Sequence, residues 1–138
     1  MGRRTKLERY GSKGTALGQV RGLGSAHEGV HHWLQQRFTA IGNLVLVNFL
    51  LISFILLPNA SYSTVTGWIG SPLTATALAL LIISTFWHAR LGLQVVIEDY
   101  ADRPSNKFAL TVLANLFIVA GTVFGLFCIA TLAFRGVA

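Results

Sequence analysis

Three stretches of this chain run the length of a membrane crossing with almost no charge, and they leave few folds open. Phe38 to Leu57 has no charged residue and stops at Pro58-Asn59. Leu73 to Ile97 is Leu-, Ile-, Ala- and Val-rich, with Arg90 as its one lysine or arginine. Residues 108–134 are apolar again. Twenty helical residues cover about 30 Å, the thickness of the hydrocarbon layer. Apolar residues make up 53% of the chain and charged residues 12%, about half the usual charged share. The expectation is an all-α integral membrane protein with three transmembrane helices over about 38–57, 73–97 and 108–134.

Charge sets the expected orientation. Seven of the eleven lysines and arginines fall in residues 1–37. The segment 98–107 adds Arg103 and Lys107, the segment 58–72 has none, and the tail has Arg135. Basic residues stay on the inner side of a membrane. The N terminus and the 98–107 loop are therefore expected inside, with the 58–72 loop and the C terminus outside. The same bias accounts for the net charge of +6 without nucleic acid as a partner. Residues 1–26 read as a flexible basic arm, glycine-rich and poor in apolar anchors. Residues 27–138 read as the membrane domain. A secretory signal is not expected, because no apolar run follows the basic lead until about residue 38. Arginine content alone leaves a mitochondrial transit peptide open.

Before the first span, Trp33 and Arg37 share a helix face, so residues 25–37 read as an amphipathic entry. Asn43, Asn48 and Ser53, the polar members of the first span, are expected to hydrogen-bond between helices. Residues 58–72, with Tyr62 and Trp68, read as a short outer loop. Cys128 is the single cysteine, so no disulfide within the chain and no thiolate cluster can form, and it reads as a small buried hydrophobe.

The chemistry is on the second span. His88 shares a helix face with Ser84 and Gly92, one turn before and after it. A glycine there removes bulk where a flat ligand would lie. Asp99 is eleven positions on, about 20° around the helix and about 16 Å along it. Tyr100 follows at the inner surface. An imidazole in hydrocarbon must satisfy its nitrogens, by coordinating a metal such as haem iron or by hydrogen-bonding a neighbouring helix. Zinc is disfavoured, since no cysteine or carboxylate stands at ligand spacing near His88. One histidine cannot hold both axial sides of a haem, so a second ligand would come from another chain. His27, His31 and His32 lie outside the span and read as contacts to haem propionates or as solvated interfacial side chains. Arg90 faces away from His88 and reads as snorkelling inward or pairing with another subunit. Glu98 and Asp99 also fit helix-end charges, and Tyr100 an interfacial aromatic.

His88-Ala89-Arg90-Leu91-Gly92-Leu93-Gln94-Val95-Val96-Ile97-Glu98-Asp99-Tyr100 resembles the H-x-x-x-G-x-x-x-x-x-x-D-Y signature of the hydrophobic membrane anchor subunits of succinate dehydrogenase (complex II). Gly29-Val30-His31-His32-Trp33 followed by Arg37 is similar to that family's G-x-H entry with an arginine six residues on. The resemblance covers about 25–138. It implies that His88 is an axial ligand of haem b, shared with a partner cytochrome b subunit. It implies that Tyr100 hydrogen-bonds a ubiquinone carbonyl, with Asp99 beside it, that His31 approaches a haem propionate, and that Arg37 lies near both. Some relatives have an acidic residue where this chain has His32, which leaves His31 and His32 as alternatives. Succinate chemistry would belong to a flavoprotein and an iron–sulfur subunit, with this chain a non-catalytic anchor in lipid. A bacterial inner membrane is expected ahead of a mitochondrial one. The competing functions are a cofactor-free membrane scaffold and a small proton-coupled transporter subunit in which His88 relays protons.

Overall fold

The computed structural model describes residues 26–135, with the side chains from Gly29 onward. The basic arm expected over residues 1–26 lies, except for Ala26, outside the described residues. Among the described residues four helices follow one another: α1 (Ala26–Ile55), α2 (Tyr62–Gly70), α3 (Pro72–Tyr100) and α4 (Pro104–Arg135). The described residues divide into two units inside α1, between Trp33 and Leu34.

Three of these helices are long and apolar enough to cross a membrane: Gly29–Ile55 within α1, then α3 and α4. Among the described residues only Leu50, Thr74, Ala77 and Leu91 are buried. Phe38, Phe117 and Phe124 are 78%, 76% and 70% exposed. Water does not tolerate contiguous apolar surface on this scale, whereas lipid or a partner helix covers it without cost.

The helices overrun the expected spans, and the connections shrink accordingly. The helical residues of the amphipathic entry run on into the first span, so α1 has 30 residues. It closes with a tightened turn, Leu57 N donating to Phe54 O at 3.2 Å, ahead of Pro58. The polar stretch 98–107 contains only three non-helical residues, Ala101 to Arg103. Ala101 N closes α3 on Ile97 O at 3.1 Å, and Pro104 opens α4, where a missing N–H leaves no bond unmade.

The segment 58–72, expected as a loop, contains α2. Ser61 caps it, its Oγ accepting from Thr64 N at 3.4 Å, while Asn59 Oδ1 accepts from Ser61 N and Thr64 Oγ1. Trp68 packs edge-on against Phe54 of α1, ring centroids 5.5 Å apart. A side-chain cap and one aromatic contact stabilise nine residues that hydropathy alone leaves unassigned. The polar residues of the first span also depart from expectation. Asn48 Nδ2 donates to Leu44 O and Ser53 Oγ to Leu50 O, so both turn back on their own helix.

The α3–α4 contact is built on Gly121 and Gly125. A Cβ at Gly121 would lie 2.5 Å from Cζ and 2.6 Å from Cε1 of Phe86; one at Gly125 would lie 2.9 Å from Cδ1 of Ile82. Small residues four apart let a neighbouring helix approach closely. Gly121→Ala must displace a whole aromatic ring, whereas Gly125→Ala meets the rotatable end of an isoleucine. Gly121→Ala is expected to cost about 1–3 kcal/mol and Gly125→Ala less. Thermal unfolding of the detergent-solubilised assembly checks the order, and equal losses would refute this account of the contact.

Candidate functional site

His88 is half-buried on α3, and α1 reaches it through Thr39. His88 Nδ1 lies 3.0 Å from Thr39 Oγ1. The same hydroxyl lies 2.9 Å from Gln35 O and 3.1 Å from Gln36 O in its own helix. One turn earlier on α3, Ser84 Oγ donates to Thr39 O at 3.4 Å, and a Cβ at Gly42 would stand 3.7 Å from that Oγ. His88 and Ser84 thus share a face, as their spacing predicts, and that face meets α1 at Thr39. At Gly92 an added Cβ would meet Gln36 Nε2 at 3.9 Å and nothing else within 4 Å. Only the end of the Gln36 side chain approaches the helix surface at Gly92, one turn beyond His88.

The other end of α3 is polar. Tyr100 is 83% exposed and lines a cleft of about 490 Å³ with Val96, Ile97, Arg103, Asn106 and Leu110. Asp99 is exposed and is not among the cleft's walls; Asp102 is. A helix C terminus carries partial negative charge, so Glu98 and Asp99 stand against the dipole. Lys107 of α4 offsets this by donating from Nζ to Glu98 O at 2.8 Å, and Gln94 Nε2 donates to Glu98 Oε1 at 2.9 Å. Twelve residues of helix, about 18 Å, separate His88 from Tyr100.

These two sites lie on a chain whose residues 11–130 match the family described as "Succinate dehydrogenase/Fumarate reductase transmembrane subunit". The chain belongs to that family. Among its relatives is the succinate dehydrogenase hydrophobic membrane anchor subunit of Rickettsia bellii, 38% identical over 102 residues, which cover 73% of this chain and 81% of the relative. The protein of the same name from Rickettsia conorii is 35% identical over 107 residues, 76% of this chain and 84% of the relative. That of Paracoccus denitrificans is 29% identical over 107 residues, 76% and 83% of the two chains.

As a family member, the chain is a membrane subunit that works in association with the other subunits of its complex. His31 and His32 stand on the opening turns of α1, in the unit that ends at Trp33. His31 is exposed; His32 is half-buried, with its Nε2 buried and unpartnered among the described residues. Arg37 is exposed on α1, two positions before Thr39. Among the described residues no group of three or more His, Cys, Asp or Glu could hold a metal ion. Haem makes no such demand, because the porphyrin brings four nitrogens of its own. Cys128 is half-buried.

Arg90 has partners within its own chain. Its Nε donates to Asn115 Oδ1 of α4 at 2.9 Å, and its guanidinium lies 5.5 Å from the Trp87 ring centroid. A charge within a span is thus met by an amide and an aromatic face of its own chain. Asn115 and Thr39 are the residues that sequence reasoning missed. Thr39 had one available signal: it completes a turn of polar residues with Gln35 and Gln36 beside an otherwise apolar span.

Proposed function

We propose that this chain, as the membrane anchor subunit of a succinate dehydrogenase, co-ligates a b-type haem through His88 and forms one wall of the ubiquinone-reduction site with Tyr100, with Asp99 beside it. The single observation that carries the reading is the arrangement of α3. It presents a half-buried imidazole, tied at Nδ1 and one turn from a glycine, and, about 18 Å further on, an exposed phenol at the polar end of the same span. The residues present suit the group. His88 would supply one axial nitrogen, a cytochrome b subunit the other, and Gly92 leaves room for a flat macrocycle. When bound, the haem supplies one-electron redox capacity within the membrane.

His31 would approach a propionate at the surface, with Arg37 near the haem and quinone region. Electrons reach the quinone from an iron–sulfur subunit, which receives them from a flavoprotein subunit that oxidises succinate. The quinone takes two electrons and two protons. Tyr100 O–H donates to a quinone oxygen, a bond that strengthens as negative charge builds there. Asp99, exposed to the aqueous side, lies where protons enter. The N-terminal side of α1 and the 98–107 turn face the cytoplasm, and the membrane is the bacterial inner membrane.

Isolation of the intact assembly tests this. A flavin-bearing chain is expected to co-purify, and the reduced-minus-oxidised spectrum is expected to show a b-type haem. A colourless assembly without flavin would leave only a three-helix scaffold.

A further inference from the structure

Thr39 has one hydroxyl hydrogen and three polar atoms around it. Two of these, Gln35 O at 2.9 Å and Gln36 O at 3.1 Å, are carbonyl oxygens, which only accept. The third, His88 Nδ1 at 3.0 Å, either donates or accepts according to its tautomer. The hydroxyl satisfies all the contacts in one arrangement. It donates back to its own helix, as threonines within helices commonly do, and offers its lone pairs to an Nδ1–H. If it donated to Nδ1 instead, its lone pairs would face both carbonyl oxygens with no hydrogen between them. A neutral imidazole protonated at Nδ1 keeps its lone pair at Nε2, the form an axial ligand requires.

We propose that Thr39 is a positioning residue for His88: its Oγ1 accepts from Nδ1–H, fixes the tautomer and ring orientation, and directs Nε2 toward haem iron. The proposal rests on the haem reading above. The Ser84-to-Thr39 bond supports it mechanically, because it fastens α1 to α3 one turn from the histidine. An acceptor at the far nitrogen makes an imidazole a stronger donor to the metal, and loss of such a partner typically weakens metal affinity about 10- to 100-fold. A stronger donor favours the ferric state, so losing Thr39 Oγ1 raises the haem midpoint potential.

The test uses the full complex with its partner subunits. Thr39→Val keeps the side-chain shape and removes the hydroxyl; Thr39→Ser keeps the hydroxyl. Two quantities are read: the haem midpoint potential, by redox titration of the haem absorption band, and the rate of haem loss to apomyoglobin. Thr39→Val is expected to shift the potential upward and to speed haem loss by roughly tenfold or more, with Thr39→Ser close to the parent. An unchanged Thr39→Val, or equal shifts in the two variants, overturns the proposal while leaving the haem assignment standing. A parent complex without haem overturns both. If Thr39→Val does not assemble, Thr39→Ala is read against Thr39→Ser in the same way. Failure of both to assemble, with Thr39→Ser intact, overturns the proposal in favour of a hydroxyl that only joins two helices.

Discussion

Tyr100→Phe is expected to lower succinate:ubiquinone reduction by the assembled complex roughly 10- to 100-fold, while succinate oxidation with a water-soluble artificial acceptor stays near the parent rate. The substitution removes one O–H and leaves the ring, so the apolar lining of the cleft beside Val96, Ile97 and Leu110 persists. On the proposed quinone role, what is lost is a donor aimed where charge develops. In a closed site one such donor is worth about 10²–10³ in rate. Tyr100 is 83% exposed within this chain, so a loss below that range, roughly 10- to 100-fold, is expected. The split between the two assays separates a quinone role from a packing role. Equal loss of both activities would place Tyr100 in assembly, and no loss of either would remove it from the quinone site.

His88→Ala is expected to abolish the b-type absorption of the purified complex. The proposed axial nitrogen is removed outright, and neither Ser84 nor Gly92, its neighbours one turn away, can replace it. The His88–Thr39 bond disappears as well, so part of the α1–α3 contact is lost, while Ser84 to Thr39 O remains. His31→Ala is the matched control. A propionate contact at the surface orients haem without bonding iron, so the band is expected to persist in that variant. A His88→Ala complex with an unaltered Soret band would transfer the ligand role away from α3.

The architecture was legible because membrane insertion reads a local property. A run of about twenty apolar residues must hydrogen-bond its own backbone in lipid, and a helix does so whatever its neighbours are. Prolines punctuate that reading correctly: Pro58 follows the end of α1, and Pro72 and Pro104 begin α3 and α4. The failures share one cause. α2 is held by the Ser61 cap and by Trp68 against Phe54, one a four-residue detail and the other a contact between segments. The Gly121–Gly125 pair is visible as a spacing, but Phe86 and Ile82 as the side chains it receives are not.

The candidate site divides along the same line. The sequence alone determined that His88 lies on the second span with Asp99 and Tyr100 just past its polar end, that His88 shares a face with Ser84 and Gly92, and that the chain has three segments able to cross a membrane. Only the tertiary structure decided that His88 meets Thr39, 49 residues away, that Arg90 meets Asn115, 25 residues away, and that Tyr100 rather than Asp99 lines the cleft. The physical reason is the solvent. In water a helix turns its apolar stripe inward, and the stripe names the contact face. In lipid the outward and inward faces are equally apolar, so hydropathy fixes depth and leaves rotation about each axis to small residues and a few polar pairs.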